Sequence, residues 1–191
     1  AYYLGRRLRP PKQTGLLISN GDLGHWERML DTPVIGVETE FEAAGSSHPS
    51  VAVVDETIHI IYTGESADQP VICHATAPVS EPANVTKDPA NPVFVGSGAH
   101  WDSHGVREAE IFKGPEYFHI FYGGSDGRPE AVNGEYWQIG HVRTRDFRTF
   151  ENNPHNPIFS PSTNPTEWDS DGLLTPQVFQ VEANFYMLYA G

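Results

Sequence analysis

Apolar and polar residues alternate along this chain in short bursts. The clearest are Ile58-His59-Ile60-Ile61-Tyr62, Phe118-His119-Ile120-Phe121-Tyr122 and Phe185-Tyr186-Met187-Leu188-Tyr189. A period near two, carried by β-branched and aromatic residues, sends successive side chains to opposite faces and predicts half-buried antiparallel strands. Each burst follows another apolar strand (residues 50–54, 109–112 and 177–181) across a short polar turn such as Asp55-Glu56 or Gly114-Pro115-Glu116. A third strand is predicted at 71–76 and at 138–144, with Ile72 and His74 matching Ile139 and His141. The segments around Pro92 and Pro157 are expected to lead back to the next copy and to supply its fourth strand.

These elements recur in register. Residues 32–64, 91–124 and 156–191 align, with Pro33, Pro92 and Pro157 in step and Phe41, Trp101 and Trp168 behind them. Gly45, Gly105 and Gly172 follow, and the copies close on Tyr62/Gly64, Tyr122/Gly124 and Tyr189/Gly191. Four short antiparallel strands repeated in this way make a propeller blade, a unit that buries its faces only against neighbouring blades. Residues 1–7 resemble a second strand and 15–20 a third, while 21–29 match the turn at 145–151. The expected fold is all-β: one partial β-propeller domain over 1–191, a fragment of a five-bladed ring amounting to about three blades. Its divisions are a partial blade at 1–31, blades at 32–90 and 91–155, and a partial blade at 156–191. A small β-sandwich would not explain why the copies stay in register.

Composition narrows the picture. Hydrophobic residues at 38% exclude a disordered chain, and no apolar stretch approaches the roughly 18 residues of a membrane helix. A net charge of −13 makes a nucleic-acid backbone or an anionic membrane surface a poor partner. The single cysteine, Cys73, rules out an internal disulfide and reads as a small buried hydrophobe; cellular location stays open. His59 and His119 recur at one strand position and His74 and His141 at another, which marks them as scaffold, so no metal is expected. Trp101 and Trp168 recur too and predict packing between blades. Asp102 and Asp169 are expected to bond backbone in the tight turns completed by Gly105 and Gly172.

The motifs DLGHWE (22–27), NPVF, NPIF, WDSHG (101–105), WDSDG (168–172) and the strand pairs ending in Tyr-x-Gly resemble those of the five-bladed propeller glycoside hydrolases, the clan of families 43 and 32. That resemblance implies a sugar pocket on the propeller axis. It also implies a general base on the first blade, an orienting aspartate on the second and a general-acid glutamate on the third. Glu108 falls at the acid position. His48 stands where the aspartate is expected, and Thr175 is the matching residue on the fourth blade. The base position would precede Ala1. Arg107 is expected to bind a sugar hydroxyl or a substrate carboxylate, or to tune Glu108; the bland reading of Glu108 is an ordinary charged residue at the start of a strand, with Glu110 a decoy two positions later. The implied activity is acid/base hydrolysis of a glycosidic bond, with a carbohydrate partner and no cofactor. The alternative is a non-catalytic carbohydrate-binding or structural segment. Exposed blade edges lead one to expect a homo-oligomer.

Overall fold

The computed structural model describes residues 2–5, 11–128 and 136–191. Ala1, Arg6 and Arg7 of the predicted first strand lie outside the described residues. The chain forms a partial β-propeller. Three strands, β1 (Tyr2–Gly5), β2 (Gln13–Ile18) and β3 (Glu27–Arg28), make the first sheet. The second blade is β4 (Gly45–Val54), β5 (Thr57–Glu65), β6 (Val71–Pro78) and β7 (Thr86–Lys87), in that spatial order. The third is β8 (Gly105–Lys113), β9 (Phe118–Ser125), β10 (Trp137–Thr144) and β11 (Phe150–Asn152). A hairpin of β12 (Leu174–Val181) and β13 (Asn184–Ala190) begins the fourth. Every strand pair within these sheets is antiparallel.

The alternating pattern explains how the blades stack. On β5, Ile58, Ile60 and Tyr62 join Ile35, Val71 and Cys73 in one apolar cluster. Ile61 points the other way, into a cluster with Ala52, Ile72 and Phe94 of its own blade and Val106, Ile111, Ile120 and Tyr122 of the third. A strand buried on both faces is what a propeller requires, and each such isoleucine contributes about 2 kcal/mol. Cys73 is fully buried, as its apolar neighbours predict.

The fourth strand departs from expectation. It lies at Thr86–Lys87 and Phe150–Asn152, ahead of the proline segments, whose backbone meets the third strand at the single bridges Ile72–Phe94 and Ile139–Phe159. Proline has no N–H to extend the ladder, and an asparagine takes over. Asn91 Oδ1 accepts from His74 N–H at 2.8 Å and Nδ2 donates to His74 C=O at 2.9 Å; Asn156 does the same to His141 at 2.9 and 2.8 Å.

The recurring tyrosine has a recurring partner. Tyr62, Tyr122 and Tyr189 donate to Glu42, Asp102 and Asp169 at 2.8, 2.9 and 3.0 Å. Asp102 also accepts from Ser97 N–H and Oγ–H at 2.7 and 2.9 Å, the turn-closing role expected of it. Trp101 stacks on Tyr122 and lies over Gly140, where a Cβ would come within 2.3 Å of its ring. It caps its own blade and borders the apolar cluster shared with the second, so it serves the scaffold.

Candidate functional site

His48, Glu108 and Thr175 adopt the left-handed conformation, with φ of +50°, +52° and +49°. Each sits in a register break of an innermost strand: between Ser47 and Ser50 on β4, Arg107 and Glu110 on β8, and Leu174 and Gln177 on β12. A β-bulge adds an unpaired residue and re-aims its side chain. Proline is tolerated at such a break because no ladder donor is needed, and Pro49 and Pro176 follow His48 and Thr175. The Glu108 turn is also pinned from the second blade, its N–H donating to Thr63 Oγ1 at 2.9 Å. The three bulges and the end of β13 bound one open cavity of about 450 Å³.

Charge is concentrated behind its wall. Glu108 Oε1 lies 3.4 Å from His48 Nε2 and 3.3 Å from Arg107 Nε, and the Glu108 side chain is 8% exposed. His48 Nδ1 is 2.9 Å from Ser47 Oγ, which donates to Glu65 Oε1 at 2.6 Å. The same Glu65 oxygen accepts from Lys12 Nζ at 2.8 Å and lies 3.6 Å from Arg107 Nη2. Burial alone would raise the Glu65 carboxyl, but its bonds to Lys12 and Ser47 hold it below the ordinary range. For His48 burial is the largest influence and depresses the imidazole, with Glu108 pulling it back up and Arg107 pushing it further down.

Of the residues singled out from sequence, Glu108, His48 and Thr175 meet at the cavity. Arg107 does not line it: its guanidinium spans Glu65 and Glu108 and rests 5.4 Å from the centre of the Trp137 ring. That geometry suits the tuning role and leaves substrate contact without support. Lys12, Ser47 and Glu65 are the residues that sequence reasoning passed over. Glu65 ends its strand where the next copy carries Ser125, so the only signal was a break in the repeat. The two histidine pairs, His59–His74 (3.2 Å) and His119–His141 (3.0 Å), recur away from this cavity.

Glu110, the decoy two positions beyond Glu108, also lines the cavity. It holds the place of Ser50, whose Oγ accepts from Ile111 N–H at 3.2 Å across the blade seam, and it accepts from Val178 N–H in the same way. Burial pushes its carboxyl up to about 7 despite that bond. A folded-state value above the unfolded one means that Glu110 supports the fold fully below about pH 4.5 and loses that support as pH rises through about 7. Glu110→Gln keeps the acceptor and removes the charge. It is expected to stabilise the chain by about 1–2 kcal/mol at pH 8, a few degrees in Tm, with the gain vanishing near pH 5. Thermal melts showing the same shift at both pH values would contradict this.

No protein-family model and no curated protein matches the sequence. Solved structures do match in fold. A protein titled "Glycoside hydrolase" superposes with a TM-score of 0.73 at 17% identity, over 98% of this chain and 57% of its own. Sucrose-6-phosphate hydrolase from Lactobacillus gasseri gives 0.71 at 18% identity, over 97% and 36%. A family 32 β-fructofuranosidase from Bombyx mori gives 0.70 at 16%, over 98% and 37%. This chain thus spans little more than half of the first and about a third of the others, and in fold it is part of a glycoside-hydrolase-type β-propeller.

Proposed function

We propose that this chain carries the general acid of a glycan-cleaving propeller, Glu108, in a pocket walled by His48 and Thr175. The supporting observation is the convergence on one cavity of three left-handed bulge residues from three successive innermost strands. Cleavage of a glycosidic bond requires a proton on the leaving oxygen, and a largely buried carboxyl at the cavity wall is suited to deliver it. Thr175 offers a hydroxyl to a sugar, His48 an imidazole, and Arg107 holds the Glu108 oxygen from behind.

In the complete ring, Glu108→Gln is expected to lower turnover of substrates with poor leaving groups by about 10²-fold or more. Aryl glycosides with good leaving groups need less protonic help and should lose less. Equal loss on both, or none, would overturn the assignment. A second reading is supported by the state of the other two acidic side chains. Glu65 is engaged by Lys12, Ser47 and Arg107, and Glu110 by Val178 N–H. A pocket with one available carboxyl can hold a carbohydrate without cleaving it, and oligosaccharide binding with no turnover in the unmodified ring would establish that reading.

A further inference from the structure

We propose that Glu65, Ser47 and His48 form a directed hydrogen-bond relay that fixes the His48 tautomer, so that Nε2 and the Glu108 carboxyl share a single proton. The argument starts from donor counting. A serine hydroxyl has one hydrogen, and an ionised carboxylate can only accept. At 2.6 Å from Glu65 Oε1, with Lys12 Nζ on the same oxygen, the Ser47 hydrogen is committed to Glu65. The Ser47 oxygen can then only accept from His48, 2.9 Å away, so the imidazole hydrogen must be on Nδ1.

A neutral imidazole has one N–H, and placing it on Nδ1 leaves Nε2 a bare acceptor. That atom faces Glu108 Oε1 at 3.4 Å. Two acceptors gain nothing by facing each other, so the two groups bind one another only when one proton lies between them. It resides on Glu108, with the carboxyl donating to Nε2, or on His48, with Nε2–H donating to the carboxylate. Passing between the two states breaks one O–H bond and forms one N–H bond, and the pair's total charge does not change. Arg107 Nε lies 3.3 Å from the same carboxyl oxygen, and burial of His48 favours the neutral imidazole. Glu65 and Lys12 face His48 with opposite charges from the second strand and the first sheet. His48 is therefore a positioning residue that acts through Glu108.

This deepens the reading of Glu108 as proton donor and rests on it for its meaning, but its test needs no substrate. Two-dimensional NMR of the chain with ¹⁵N-labelled histidine reports which ring nitrogen carries hydrogen, and His48→Gln identifies the His48 signals by their loss. The expected result is a neutral His48 protonated on Nδ1. Ser47→Ala should abolish that preference, and Glu108→Gln should lower the His48 titration midpoint because the carboxylate that raises it is gone. Unchanged signals from His59, His74, His119 and His141 would show each variant folded. A neutral His48 protonated on Nε2 would overturn the relay, as would a tautomer indifferent to Ser47 or a midpoint indifferent to Glu108. A failed hydrolysis assay beside a positive NMR result would remove the glycosidase reading alone.

Discussion

Lys87→Met is expected to destabilise the fold by about 3–5 kcal/mol at neutral pH, the cost of leaving a buried carboxylate without its cation. Glu42 is completely buried. Its Oε1 accepts from Tyr62 Oη at 2.8 Å, and its Oε2 accepts from Thr39 Oγ1 at 3.0 Å and Lys87 Nζ at 2.8 Å. Lys87 also donates to Gly36 C=O at 2.7 Å, tying the short β7 strand to the loop before β4. Methionine preserves much of the aliphatic stem, so packing changes little and the effect reports the charge. In a chain of this size the loss corresponds to roughly 10 °C in Tm. Adding Glu42→Gln should restore much of it, since a neutral amide carries no uncompensated charge. Denaturant titrations of the single and double variants decide the matter: a loss below about 1 kcal/mol, or no recovery in the double, would show that the pair contributes little.

Gly45→Ala should cost a comparable amount, about 2–5 kcal/mol, by a different route. Gly45 has φ of +134°, and a Cβ there would stand 2.5 Å from both the backbone N and the backbone O of Lys12. Those atoms cannot yield, because Lys12 N–H donates to Ala44 C=O at 3.2 Å and Lys12 C=O accepts from Ser46 N–H at 3.0 Å. Overpacking of about 1–3 kcal/mol adds to a backbone penalty of about 1–2. Gly21 provides the control: its φ is +88° but nothing lies within 4 Å, so Gly21→Ala should lose only the backbone part. Equal losses in the two variants would mean that contact with Lys12 is not what excludes a side chain at 45. Gly45→Ala should also disturb Glu65, because Lys12 is one of its partners.

The run of antiparallel strands could be read from the chain because a propeller repeats its burial pattern, and period-two bursts such as Phe118 to Tyr122 say which residues face which seam. Glu108, His48 and Thr175 could be placed together for the same reason. What escaped was whatever broke the repeat or depended on three-dimensional partners. The fourth strand is only two or three residues long, too short for an alternation to register, and the prolines drew attention to a segment that an asparagine side chain holds in place. Glu65 drew no notice because Lys12, its partner, is 53 positions away. Arg107 was read by its neighbour Glu108, yet its direction is set by Glu65 and Trp137. Glu110 differs from Ser50 by a charge whose burial depends on Val178 of the next blade.

The left-handed backbone at His48, Glu108 and Thr175 has a consequence for how this protein can change. Each position holds a residue whose Cβ makes that conformation cost about 1 kcal/mol, and the β-branched Thr175 is the least comfortable of the three. Glycine at any of them would relieve the cost while deleting a side chain that borders the cavity. Stability and retention of the pocket therefore pull in opposite directions at these three codons, unlike the interior positions of the blades, where the two coincide. Directed evolution for heat resistance alone, with no demand on the cavity, would strip these side chains first and leave a sturdier propeller with a barer cavity.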